Sequence, residues 1–158
     1  MDEMKTESVW DYPRPPRIKP CALRVRVEFN GMLIADSTNA WRLLETSHPP
    51  SYYIPPSDVR VELLSPTEDH TFCEYKGRAS YWNLTVAGSK AESAAWSYPS
   101  PTVAYQDLKD HLAFYAHRVD ACFVGEERVR PQQGGFYGGW ITSNLKGPFK
   151  GVPGSRGW

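Results

Sequence analysis

Three absences define this chain before any motif does. It has no excess charge: 18 Lys and Arg stand against 18 Asp and Glu, so no bulk field draws it to phosphate backbones or anionic lipid. Nucleic acid is therefore not an expected partner. It has no apolar run of membrane-spanning length, and Met1-Asp2-Glu3-Met4-Lys5 carries acids where a secretory leader needs bases. No membrane association is expected, and Asn83-Leu84-Thr85, which fits a glycosylation sequon, has no secretory context. It is also short of cysteine. Cys21, Cys73 and Cys122 are too few and too widely spaced for a disulfide framework, which favours a reducing, cytoplasmic setting.

What is abundant is 14 prolines, 12 glycines, six tryptophans and nine tyrosines in 158 residues. Pro and Gly cut the chain into short elements, and aromatic side chains suit half-buried pleated surfaces. The length fits one domain with its own core.

Residues 1–20 read as an extended arm, held open by Pro13, Pro15, Pro16 and Pro20 and pinned by Trp10 and Tyr12. Residues 21–130 read as the β domain. Leu23, Val25, Val27 and Phe29 alternate with Arg24, Arg26 and Glu28, which predicts a strand with one wet face. Asn30-Gly31 is a strong two-residue hairpin signal, returning through Met32-Leu33-Ile34-Ala35. Residues 37–45 predict a turn leading into a strand. Tyr52-Tyr53-Ile54, bracketed by Pro49-Pro50 and Pro55-Pro56, predicts a short edge strand. Ser57 and Asp58 predict a cap for one or two helical turns through Leu64. Strands follow over 79–87 and 94–98, then a short helix carrying Tyr105, Leu108 and Leu112, and a hairpin from Val119 to Val129. Residues 131–158, rich in Gly, Pro and aromatics, predict a tail or lid docked through its rings.

A set of ordered motifs then carries a resemblance. Phe29-Asn30-Gly31 to Ser37, Leu44-Glu45-Thr46 to Pro55, and Asp58-Val59-Arg60 with Leu63-Leu64 are three of them. Cys73-Glu74-Tyr75-Lys76-Gly77-Arg78-Ala79-Ser80-Tyr81-Trp82, Ala94-Ala95-Trp96-Ser97-Tyr98-Pro99 and Ala113-Phe114-Tyr115 complete the set. From about Leu23 to about Val129 the chain resembles the domain-of-unknown-function family 427. The fold this implies is a mainly β, compact small barrel or tent-like domain of the Mss-four and methionine sulfoxide reductase B type, without implying their activities. One or two short helices and the Gly/Pro/aromatic tail complete the expected architecture. The family is also labelled nucleotidyltransferase-like. Such transfer needs a Gly-Ser turn for phosphates and paired carboxylates for metal ions. The nearest pieces here are Gly88-Ser89, Asp107 and Asp110, with Gly154-Ser155 at the end.

Among candidate sites the segment from Cys73 to Trp82 is richest. Lys76, flanked by Tyr75, Gly77, Tyr81 and Trp82, loses hydration among rings and can serve as a base or an anion clamp; the alternative is a surface lysine lying over Tyr75. Glu45, set among Leu43, Leu44 and Thr46, needs water or a partner such as Lys76 or Arg42. Tyr53, Tyr81, Trp96, Tyr98 and Tyr115 bring polar tips to the ends of apolar strands and are the expected ligand-binding residues, with Lys76 and Glu45 as the expected catalytic pair. No metal site is expected. His70 and Cys73 have ligand spacing but no second pair, with Cys21, Cys122, His48, His111 and His117 the scattered remainder. The glycine-rich Gly134 to Trp140 lacks the Lys-Ser/Thr ending of a phosphate loop, although Lys146 and Lys150 lie close after it. Arg14, Arg17, Lys19, Arg24 and Arg26 read as a solvated face. The leading expectation is a small-molecule-binding β domain with acid–base or transfer chemistry at Lys76, and no cofactor is identifiable. The alternative is a protein-interaction or homo-oligomerisation module, a homodimer included, built on the arm and tail.

Overall fold

Alternation between Val25 and Phe29 produces the strand it predicts, with Val25 and Val27 fully buried. At the hairpin, Asn30 (φ 48°) and Gly31 (φ 76°) both adopt positive φ, as a tight turn matching the twist of its strands demands. The computed structural model describes residues 5–158. In chain order its strands are β1 (Glu7–Ser8), β2 (Arg17–Pro20), β3 (Val25–Phe29), β4 (Met32–Ser37), β5 (Trp41–Leu44), β6 (Ser51–Tyr53), β7 (Leu64–Cys73) and β8 (Gly77–Val86). They continue as β9 (Ser89–Ser97), β10 (Ala113–Phe114), β11 (Ala121–Val124), β12 (Glu127–Arg128), β13 (Arg130–Pro131), β14 (Trp140–Ile141) and β15 (Leu145–Lys146).

These strands form three main sheets, ordered β12-β11-β3-β4, β10-β9-β8-β7 and β2-β5-β6, with two small pairs, β13-β14 and parallel β1-β15. The domain is mainly β, as expected, but the sheets are separate and none closes into a barrel. The expected helices are short 3-10 segments: the single turns Pro56–Asp58 and Val61–Leu63 and the two turns of Val103–Leu108, kinked at Tyr105, besides Val9–Asp11. Ser57 and Asp58 cap nothing, since Pro55 precedes the first turn and supplies no side-chain acceptor.

Two further differences have plain causes. Residues 17–20, read as part of an extended arm, pair with β5 from Arg17↔Leu44 to Pro20↔Trp41; Pro20 is tolerated because β2 is an edge strand. Segment Leu64–Cys73, which begins where the helical turns were expected to end and to which no element was assigned, is a ten-residue strand. Its Pro66, Glu68, Asp69 and His70 have poor strand propensity, but β7 is also an edge, paired only with β8 through a register shift.

In the β10-β9-β8-β7 sheet, β8, β9 and β10 bury side chains on both faces while edge strand β7 is largely exposed, and pleating sorts the side chains. Cross-strand pairing places Tyr81, Trp96 and Ala113 in one row and Trp82, Ala95 and Phe114 in the next, so the rows face opposite ways. Ala95 and Phe114 join the main core with Val25, Val27, Ile34 and Leu84, and Trp82 packs against it. Tyr81, Trp96 and Ala113 join a second cluster with Leu43, Tyr53, Tyr98 and Tyr115. Adjacent Tyr52 and Tyr53 divide between the clusters for the same reason.

Candidate functional site

The second, aromatic cluster borders a cavity of about 280 Å³. Lys76 reaches it from the turn between β7 and β8. Gly77, at φ 105°, allows that turn. A Cβ there would sit 3.3 Å from the Ser100 carbonyl oxygen. The amide of Thr102 donates to the Lys76 carbonyl at 3.0 Å, so the turn is fixed to the loop after β9. Lys76 is only 7% exposed, with Nζ 5.7 Å from the centre of the Tyr98 ring. Among the described residues it forms no ion pair.

All seven residues singled out from the sequence line this one cavity: Lys76, Glu45, Tyr53, Tyr81, Trp96, Tyr98 and Tyr115. They come from four regions of the chain, which the two sheets and the β7–β8 turn bring together. Trp82, named with them as a flank of Lys76, points the other way, its Nε1 donating to Ser97 Oγ at 2.9 Å. Glu45 pairs with neither Lys76 nor Arg42. Its carboxylate lies 3.7 Å from Arg14 Nη2, while Arg42 is engaged with Glu7 through two hydrogen bonds, at 2.8 and 3.3 Å.

The rings are locked at several points. Trp96 Nε1 donates to the Tyr53 hydroxyl at 3.1 Å, Tyr115 donates to the Phe136 carbonyl at 3.2 Å, and the Thr71 and Tyr81 hydroxyls share a hydrogen bond of 2.7 Å. Burial pushes the Tyr53, Tyr98 and Tyr115 hydroxyls well above the ordinary phenol range, so at neutral pH they are intact hydroxyls rather than phenolates.

His48 also lines the cavity. The sequence reading placed it among the scattered metal ligands. Its Nδ1 lies 2.9 Å from the Thr46 carbonyl oxygen, an acceptor only, so Nδ1 carries the proton and Nε2 the lone pair. Burial holds the imidazole below its ordinary pKa, outweighing the Thr46 carbonyl, and it is neutral at pH 7. The remaining wall comes from the C-terminal segment. Gln132, Phe136, Tyr137 and Gly138 close one side, with Gln132 accepting from the Gly139 amide at 3.0 Å and donating to the Lys150 carbonyl at 2.6 Å. A Cβ on Gly138 would lie 2.2 Å from the Trp96 ring, so this loop rests directly on the indole. The glycine run signalled a docked loop in the sequence; nothing there signalled Gln132.

The parts that nucleotidyl transfer would need are not assembled. Gly88 turns the β8–β9 hairpin, at the end of β8 away from Lys76, and exposed Asp107 and Asp110 do not line the cavity. His70 is exposed, and no group of three or more His, Cys, Asp or Glu placed to hold a metal occurs among the described residues. No helix there is long and apolar enough to cross a membrane.

No curated protein matches the chain. A family model described as a domain of unknown function (DUF427) matches residues 17–125, from the first residue of β2 to the turn after β11. That span contains Lys76, Glu45 and all five rings, and leaves out the loop over Trp96. The chain belongs to this family, the domain of unknown function 427.

Proposed function

We propose that this domain binds a small molecule in the cavity beneath the 132–139 loop, with acid–base chemistry centred on Lys76. The observation that carries the reading is Lys76 itself: a lysine only 7% exposed on the wall of an aromatic cavity, without a carboxylate partner among the described residues. Drawing an ammonium partly out of water without a partner is costly, and an anionic or polar guest offsets that cost. A few polar groups converging among rings are also typical of small-ligand pockets. Lys76 supplies a proton donor, neutral His48 an acceptor at Nε2, and the tyrosine hydroxyls donate or accept according to the ligand. The test is native mass spectrometry of freshly purified protein together with ligand-observed NMR against small aromatic fragments. The reading expects an adduct or fragment binding that Ser51→Phe, which fills the cavity from β6, abolishes. A bare mass with no fragment bound would overturn it.

A second reading rests on two exposed rings at the cavity rim, Phe72 (77% exposed) on edge strand β7 and Phe136 (64%) on the loop. An open edge flanked by apolar side chains suits strand addition by a second copy or another protein. This reading expects self-association in sedimentation velocity that Phe72→Glu removes; a monomer at all concentrations would set a homo-oligomeric form of it aside.

A further inference from the structure

We infer that the ligand is a planar monocarboxylate: one aromatic or conjugated ring system with a single carboxylate on a short arm, the carboxylate paired with Lys76 and the ring lying among Trp96, Tyr98 and Tyr115. The inference rests on the small-molecule reading above and specifies its chemistry.

Charge sets the first limit. Of the ionisable groups lining the cavity, Glu45 already has Arg14 at 3.7 Å and a side chain 23% exposed, and burial keeps His48 neutral at pH 7. Lys76 is then the one uncompensated charge on the wall, a single positive one. The Tyr98 face at 5.7 Å offsets only part of its lost hydration. One negative charge completes the balance; two would leave one unpaired.

The donor set argues for carboxylate over phosphate. Phosphate monoesters approach two negative charges at neutral pH and present three oxygens, which proteins meet with arginine forks, successive backbone amides or helix starts. The cavity lining contains no arginine, and no α-helix begins among the described residues. A lone ammonium and nearby hydroxyls match two oxygens sharing one charge.

Shape sets the body of the ligand. The rings are splayed rather than stacked: Trp96 and Tyr115 are inclined at 46° with centres 4.6 Å apart, Trp96 and Tyr53 at 88°, and Tyr53 and Tyr98 at 42°. Gly138 covers part of Trp96 and Arg118 lies over Tyr115, so the inclined rings meet a planar guest in the cavity with edges as well as faces. The volume of about 280 Å³ equals about nine waters at ~30 Å³ each, enough for one ring and a short arm.

Benzoate and benzamide are the discriminating pair, nearly identical in shape and different in charge. Both are titrated into the full chain, following the Trp96 indole N–H by NMR, with phenyl phosphate as a third probe and Lys76→Met as the variant. The inference expects benzoate to bind at least about tenfold more tightly than benzamide, consistent with a charge-assisted hydrogen bond. Lys76→Met should remove the preference, leaving benzoate and benzamide with similar affinities. Equal binding of the two in the wild-type chain would overturn the anionic assignment while leaving the small-molecule reading in place, and this comparison needs no variant to fold. Tighter binding of phenyl phosphate than of benzoate would overturn the choice of carboxylate. If no probe perturbs Trp96, the cavity reading falls with it.

Discussion

The indole N–H of Trp96 donates to the hydroxyl of Tyr53 at 3.1 Å, joining a ring on β9 to a ring on β6 across two separate sheets. Tyr53 is fully buried and Trp96 nearly so, and this bond ties two cavity walls that the Ile54–Leu112 backbone pair also joins. Tyr53→Phe keeps the ring and deletes the acceptor of the indole N–H. The orphaned N–H should cost about 1–3 kcal/mol, read as a lower denaturation midpoint at unchanged m-value, with the Trp96 indole resonance displaced.

The loop above Trp96 makes a second comparison within one short segment. Gly138→Ala places a methyl 2.2 Å from the indole, whereas Gly135→Ala points into open space. The first should cost about 1–3 kcal/mol because the loop must lift off a packed ring, and the second should stay within about 0.5 kcal/mol. Thermal melts of the two variants beside the parent chain decide it. Equal behaviour of the two would mean that the loop is not seated on Trp96.

Arg42 and Glu7 tie the N-terminal segment to β5 through two hydrogen bonds, and the Tyr12 hydroxyl donates to the same carboxylate. Burial raises the Glu7 pKa, but the Arg42 and Tyr12 hydrogen bonds outweigh it and the net shift is downward. A lowered native pKa means that the unfolded chain takes up the proton first. The contribution is therefore whole above the ordinary carboxylate value and lost as pH falls through the lower, folded-state value. Chemical denaturation between pH 7 and pH 3 should show this loss. Arg42→Met should be about 1–3 kcal/mol less stable at pH 7, since Glu7 is then left partly buried without its cation, and its stability should depend less on acid.

The legible parts of the fold were those where local chemistry and tertiary packing agree. Asn30-Gly31 specifies its own turn, and the alternation around Val25 and Val27 says which face is buried. The Cys73 to Trp82 segment read as a polar and aromatic concentration, and the cavity does lie against it. What stayed hidden depended on position within a sheet. β7 is polar and contains a proline, so only its place at an edge explains why it is a strand. The same holds for β2, whose Pro20, after Pro13, Pro15 and Pro16, spoke for an unpaired arm until β5 was there to pair with it.

The sequence by itself determined that this chain is mainly β and built of short elements, because periodicity, turn residues and composition act locally, and it singled out Lys76 with its tyrosines and tryptophan as candidates. Only the tertiary structure decided which rings share a cavity. Tyr53 enters it and Tyr52 does not, Tyr81 enters and Trp82 does not, since neighbours along a pleated strand face opposite ways and strand register selects the face. Tertiary structure also paired Glu45 with Arg14 and Arg42 with Glu7, contacts spanning more than 30 residues that no local pattern encodes. Lys76 is thereby left without an ion pair among the described residues.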